Sequence, residues 1–599
     1  MNEEHQIGKD VRRRILLVII IGFFSLVSFQ LIQMQILEHA AFDEKSNENS
    51  IKKVVIDAPR GIFFDRNQKP IVSNKPSFSL QITPNEYDTE KTEILETALQ
   101  LDSGYISKIL YEKRYYSKYQ PRKILKSVDF KSIAWLEENS EQLPGVSYKV
   151  DLQRDYAFGL LGSHMFGYIR EISAEKFEKD REDYSLGDII GYAGIEKSYE
   201  RYLRGKKGYN YVIVDSRQKP IGKYLKGVED IDPQKGYDLI LTIDADAQKV
   251  AEEALKGKRG AVVAVEPSTG EILAFVSAPE YSLANFAAVT SGEYWKKLSS
   301  DPEKPLFNRA SMSIKPPGST IKMLAAIIGL EEKLISTYTT VKCTGGFRYG
   351  NRTFRCTHVH GTVDLEESIE KSCNIFYYQL ILKIGLNRWA KYIRQFGFGT
   401  KTGIDIGEES KGIVPDSAYY NRVYGKNKWT EGNLLSLSIG QGELSATPVQ
   451  LAQYVSLIAN NGKTKKPHFV KGIVKNGVAE YSQFIAEDVK ADISQRSFDI
   501  VKKGMYKVVN GEGSARHIRL PGIDIAGKTG TSQNPHGEDH ALFVAFAPYE
   551  NPKIAVAVIV ENIGFGSTHA APIAGDVIKA YLVKDENEFD VPLLTLKNQ

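Results

Sequence analysis

The chain is organised around Ile314-Lys315-Pro316-Pro317-Gly318-Ser319-Thr320-Ile321-Lys322-Met323-Leu324-Ala325-Ala326-Ile327-Ile328-Gly329-Leu330. Pro316, Pro317 and Gly318 form a breaker, and the apolar run after them suits a buried helix. Ser319 therefore opens that helix, where orphan N–H groups and the helix dipole favour developing negative charge. Lys322 follows three residues on, one turn up the same face, so its amine can approach the Ser319 hydroxyl. A serine beside a lysine that burial holds neutral is a nucleophile with its base. The plainer reading is a cap serine with a lysine reaching for solvent, and the spacing alone does not separate the two. Ser50 to Lys53 and Ser173 to Lys176 repeat it without the breaker and the buried helix.

Two further motifs lie downstream. Ser372-Cys373-Asn374 interrupts the apolar helical segment Leu365 to Leu382 and would set a hydroxyl and an amide in a pocket; seen alone it reads as two small polar residues in a helix. Lys528-Thr529-Gly530-Thr531 follows the turn Pro521 to Gly527 and reads as the start of a strand. A lysine, two hydroxyls and a glycine on a sheet edge can bind a carboxylate and admit a ligand backbone as one more strand. Lys401-Thr402-Gly403 has the same letters inside a glycine-rich loop, Phe396 to Gly412, rather than before a strand.

Serine with a lysine at i+3, then Ser-x-Asn, then Lys-Thr-Gly, in that order, is the signature of penicillin-recognising serine enzymes. With these motifs the chain resembles the class B penicillin-binding proteins of the elongation type. The resemblance extends to Arg60-Gly61-Ile62, Asp65-Arg66-Asn67, Gly194-Ile195-Glu196, Leu203-Arg204-Gly205, and Ile439-Gly440-Gln441-Gly442 with Thr447-Pro448. It departs at Leu542, where relatives usually carry tryptophan. The resemblance implies peptidoglycan D,D-transpeptidation in cell-wall elongation and shape maintenance, with β-lactams as inhibitors. Ser319 would attack the penultimate D-Ala carbonyl, Lys322 would be its base, and Ser372 would relay the proton. Asn374 would position the substrate amide, Lys528, Thr529 and Thr531 would hold the terminal carboxylate, and Gly530 would admit the ligand backbone. The N–H groups of Ser319 and Thr531 would form the oxyanion hole.

Ile15 to Ile32 is apolar over about 18 residues, long enough to cross a bilayer. Lys9, Arg12, Arg13 and Arg14 precede it and place the amino terminus in the cytoplasm. A cleaved signal peptide would have a shorter apolar region ending in a small-x-small site, which Gln30 to Glu38 does not supply. The reading is thus a single-pass inner-membrane protein with its catalytic domain outside. At 599 residues it holds more than one domain, and its net charge of +4, with both signs interspersed, gives no case for nucleic acid.

The fold expected is α+β. Residues 1–14 read as a cytoplasmic tail, 15–34 as the anchor and 35–235 as a mixed non-catalytic pedestal. The pedestal begins with a polar stalk, Glu38 to Ser50, and carries a helical head subdomain over about 86–150. Residues 236–585 read as the transpeptidase domain and 586–599 as a tail. In that domain a hairpin from Ala261 to Ser277 and strands His540 to Ala547 and Lys553 to Glu561 form one antiparallel sheet flanked by helices.

Catalysis of this kind requires no cofactor. Cys343, Cys356, His358 and His360 nevertheless form C-x12-C-x-H-x-H, open between a disulfide, a structural zinc site and free thiols. Cys373 reads as packing. The partners implied are stem peptides on lipid-linked precursor strands, a multi-span glycosyltransferase and other elongation-complex proteins. A membrane-anchored β-lactamase-like hydrolase and a non-enzymatic activator of that glycosyltransferase are the competing readings; the anchor and the long segment before Gly236 weigh against the first.

Overall fold

The computed structural model describes residues 3–33, 50–114, 118–156, 159–181, 183–185, 187–215, 220–287, 290–426, 428–481 and 484–583. The stalk up to residue 49 and the tail 586–599 lie outside the described residues. The chain divides into two compact units, Met1–Pro59 with Ser77–Asp151 and Lys206–Lys235, and Arg60–Pro76 with Leu152–Gly205 and Gly236–Gln599.

The first unit begins with α1, Glu3–Ile32. Within it Val11–Ile32 spans 22 residues at mean hydropathy 2.7, with none of its apolar window buried. Among the described residues it is the one helix long and apolar enough to cross a membrane. The strands Ile51–Ile56, Gly208–Val214 and Pro220–Lys223 form an antiparallel sheet. The head packs Leu80, Ile82, Leu95, Ile106, Ile133 and Leu136 into its own core. Its helices Thr92–Ala98, Tyr105–Glu112 and Phe130–Glu138 are accompanied by the strands Arg122–Val128 and Val146–Asp155, which a purely helical expectation omits. In the first of these Arg122 is itself a buried position, so the period-2 pattern is hidden behind charge.

In the second unit, β1 (Gly260–Val265), β2 (Ile272–Ala278), β3 (Ala526–Ser532), β4 (His540–Ala547) and β5 (Ile554–Val560) form one sheet in the order β2-β1-β5-β4-β3. All its pairings are antiparallel. Every residue of β1, β2, β4 and β5 is buried, as continuous apolar runs covered on both faces require. Pro448–Ala459, buried along its whole length, and Gly566–Leu582 pack against the sheet. Thr447 starts the former with a reciprocal cap to Gln450 and proline at its first turn, the arrangement that satisfies orphan N–H groups.

The motif residues before the sheet have structural work. Glu196, fully buried, accepts from Arg60 Nε at 2.7 Å and from Arg154 Nε at 2.6 Å. Arg60 also bonds Glu200. A Cβ at Gly61 would lie 1.8 Å from the Tyr237 carbonyl oxygen, so no other residue fits there. Asp65 closes the following turn by accepting from Asn67 N at 2.9 Å and Lys69 N at 2.8 Å.

Candidate active site

Gly318–Ile321 is a 3-10 turn that passes into the α-helix Lys322–Glu331. The sequence suggests an α-helix from Ser319; the tighter turn instead eclipses positions i and i+3, which aligns Ser319 with Lys322 more closely. Thr320 donates to the Pro317 carbonyl at 2.6 Å, and the buried Tyr454 hydroxyl donates to the Thr320 carbonyl at 3.0 Å. Ser319 is half-buried, and its hydroxyl makes no hydrogen bond among the described residues.

Lys322 is fully buried. Its Nζ lies 2.7 Å from the Ser372 carbonyl oxygen, 3.1 Å from Ser372 Oγ and 2.7 Å from Asn374 Oδ1, so the first two motifs meet at this amine. The Tyr377 ring lies against it, 5.4 Å from Nζ. Burial lowers its pKa to about 7, opposed by the neighbouring Cys356 and Cys373 sulfurs. As an ammonium it spends its three protons on three oxygens; as an amine it keeps a lone pair for a proton from Ser319.

Leu365 to Leu382 is not one interrupted helix. Leu365–Glu370 ends, Ser372 adopts φ +54°, and a second helix, Asn374–Ile384, begins. Left-handed backbone at a non-glycine residue holds only when its surroundings enforce it. Here it turns the Ser372 carbonyl and hydroxyl onto Lys322. Asn374 is held at both ends, Oδ1 by Lys322 and Nδ2 by the Arg355 carbonyl at 3.2 Å.

The third motif lies on β3, the sheet's edge strand. A Cβ at Gly530 would stand 2.8 Å from Thr320 Cγ2 and 3.2 Å from the Pro317 oxygen, so the strand rests directly on the Ser319 turn. Lys528 is fully buried, and burial with the positive charge of Lys322 drives its pKa well below the usual lysine range. Its Nζ donates to the Thr529 carbonyl at 3.2 Å. Leu542 is fully buried opposite Gly530 and fills the space behind the motif.

The look-alike motifs resolve differently. Ser173 is an ordinary helix cap, accepting from Lys176 N at 3.3 Å, while the Lys176 amine pairs with Asp180. The loop at Lys401 is stitched by Glu409, which accepts from Thr402 N and Gly403 N.

Tyr377, Ser514 and Cys373 add to the site beyond the motif residues given chemical roles. Tyr377 lies against Lys322. The Ser514 hydroxyl is 2.7 Å from the Thr529 hydroxyl, extending the polar patch of the third motif. Cys373, expected only to pack, gathers with Cys343, Cys356 and His360. The ligand atoms of these four all lie within 4.8 Å of one another. His358 is not in this group; it offers Cys343 only its backbone carbonyl, at 3.5 Å. The three cysteines are free, so no disulfide closes the loop. His360 Nδ1 is 3.5 Å from both the Cys343 and Cys356 sulfurs, and Asn374 N donates to Cys356 Sγ at 3.2 Å. Cys373 donates to Cys356, pulling that thiol's pKa down. Two small hairpins, Val341–Cys343 with Gly361–Val363 and Gly346–Tyr349 with Arg352–Arg355, bring these ligands together. Three sulfurs and one imidazole at this spacing match a tetrahedral zinc donor set.

Comparison with known proteins gives two family matches. The penicillin binding protein transpeptidase domain matches residues 260–579, and the penicillin-binding protein dimerisation domain matches residues 55–241. The chain is 32% identical to the peptidoglycan D,D-transpeptidase MrdA of Haemophilus influenzae, over 94% of this chain and 91% of the relative. It is similar to the penicillin-binding protein PBP2 of Helicobacter pylori solved in complex with MreC, at 30% identity and TM-score 0.74, over 89% of this chain and 99% of that one. A chain from a peptidoglycan synthase complex, solved in a study of how polymerization and crosslinking are coordinated, is 28% identical at TM-score 0.73, over 96% of this chain and all of that one.

Proposed function

The chain belongs to the penicillin-binding protein transpeptidases, and on that premise we propose that it cross-links peptidoglycan stem peptides during elongation through an acyl-enzyme on Ser319. The observation that carries this reading is the Lys322 amine. It meets Ser372 and Asn374 at one end of the Ser319 turn, and the Lys528-to-Thr531 strand lies on that same turn.

Neutral Lys322 takes the hydroxyl proton as Ser319 Oγ bonds to the penultimate D-Ala carbonyl carbon. The oxyanion rests on the N–H groups of Ser319 and Thr531, worth roughly 3 kcal/mol per donor. Collapse breaks the peptide C–N bond, and Ser372, bonded to Lys322, passes the proton to the departing D-Ala amine. An amine of a neighbouring stem then attacks the ester, and Ser319 recovers its proton. Water in place of that amine gives carboxypeptidase side activity. Lys528, Thr529 and Thr531 hold the terminal carboxylate, and the second N–H of Asn374 Nδ2 is free to take the substrate amide.

Residues 236–585 are the catalytic domain and 35–235 the pedestal in this reading. Arg12, Arg13 and Arg14, ahead of the apolar stretch of α1, hold the amino terminus in the cytoplasm, and the catalytic domain lies outside the inner membrane. The partners are a multi-span glycosyltransferase and other elongation-complex proteins. Cys343, Cys356, His360 and Cys373 would hold a structural zinc. Those four residues would tie the two strand pairs to the Ser372 turn through the metal, a structural role only.

Mass spectrometry after reaction with a labelled penicillin tests the assignment. A stable adduct on the peptide carrying Ser319 is expected. An adduct on another serine, or rapid release of the label, overturns it.

A further inference from the structure

We propose that Gln441 is a positioning residue of the oxyanion hole and that Gly440–Ala446 is the element that sets the hole's width. This rests on the assignment above of the Ser319 and Thr531 N–H groups as the two donors. Those donors stand on segments more than 200 residues apart in sequence, so nothing covalent fixes their separation. An oxyanion hole works only when both donors lie within hydrogen-bonding reach of one oxygen.

Gly440–Ala446 touches both sides. Lys315 N donates to the Ala446 carbonyl at 3.0 Å and Ala446 N donates back at 2.9 Å, pinning the start of the proline breaker. Gly318 N, one residue before the nucleophile, donates to the Gly440 carbonyl at 2.9 Å, pinning its end. Gly440 adopts φ +70°, and a Cβ there would lie 2.1 Å from the Gly318 oxygen, so only glycine allows this approach. The next residue reaches the other way: Gln441 Nε2 donates to the Thr531 carbonyl at 3.0 Å. Gln441 N in turn donates to the Ser436 carbonyl at 2.9 Å, at the end of the helix Gly432–Ser438, so the side chain springs from a fixed backbone. Two adjacent residues therefore hold the peptide just before one donor and the carbonyl of the residue bearing the other. The Gly440-Gln441-Gly442 segment, which the catalytic motifs leave without a role, acquires one.

Gln441→Glu keeps the side chain's size and loses its donor; Gln441→Ala removes the side chain. Stopped-flow reaction of the full detergent-solubilised chain with a fluorescent penicillin separates the initial dissociation constant from the acylation rate constant. Both variants should acylate about 10- to 100-fold more slowly with the dissociation constant within about twofold of wild type, as misplacement of a donor predicts. The pH midpoint of acylation should not move, because it belongs to Lys322. Unchanged acylation in Gln441→Glu overturns the proposal. So does tighter binding with faster acylation, which would make Gln441 a plug on the carbonyl an incoming strand uses. If Gln441→Ala does not fold, Gln441→Glu decides alone. Labelling of Ser319 in the wild type, with normal kinetics in Gln441→Glu, sinks this inference and leaves the nucleophile standing; labelling elsewhere sinks both.

Discussion

Lys322 is under two opposed demands. Complete burial with no carboxylate partner among the described residues favours the neutral amine, while three oxygens around Nζ favour the ammonium. Burial prevails and leaves the pKa at about 7. The groups facing it are Lys528, Tyr377 and the Cys356 and Cys373 sulfurs. Since the active form is the neutral one, acylation by a penicillin should rise with pH up to about 7 and level above it. A rate flat from acid to neutral pH would remove Lys322 as the base. Lys322→Ala should lower the acylation rate by about 10²- to 10⁴-fold, the usual worth of a positioned base, while the thermal midpoint shows whether the fold survives. Lys528 is lowered as well, so two lysines in one site need not both be charged.

At the scale of elements, the central sheet was readable because β1 with β2, and β4 with β5, are apolar runs joined by short turns, and their limits fall within about two residues of the expectation. The Ser319 turn was readable because two prolines and a glycine cannot continue a helix. What stayed hidden carries no local signal or forms only in three dimensions. The helix break at Ser372 is a left-handed cap closed by Cys373 N on the Ser368 carbonyl at 2.9 Å and Ser372 N on the Ile369 carbonyl at 3.2 Å, without the glycine that usually marks one. Cys373 joins Cys343 only when the two strand pairs of 341–363 fold beside it. Purified chain should contain about one zinc, the number a single four-ligand site holds. Cys343→Ser should lower both the zinc content and the thermal midpoint; a metal-free wild type with full stability would contradict that site. The Arg60–Glu196–Arg154 cluster lets a motif segment be judged by stability alone. Glu196→Ala leaves two arginines without their buried partner and should cost about 3–5 kcal/mol, read from denaturant unfolding. A loss under about 1 kcal/mol would mean the pair contributes as little as an exposed one.

At the scale of the whole molecule, the sheet, the three motifs and the metal-type cluster all belong to the second compact unit, while the apolar helix and the head belong to the first. That division separates the chemistry from the part available to tether the protein and meet partners. On the proposed assignment, Ser319 performs the cross-linking itself rather than lending a scaffold to a polymerase. The direct measurement supplies lipid-linked precursor and a glycan-polymerising glycosyltransferase to wild type and to Ser319→Ala, then counts cross-linked and uncross-linked stem peptides in the digested product. Wild type should give cross-linked dimers, and Ser319→Ala should give uncross-linked glycan strands only. Cross-linked dimers formed by Ser319→Ala at the wild-type level would contradict the account.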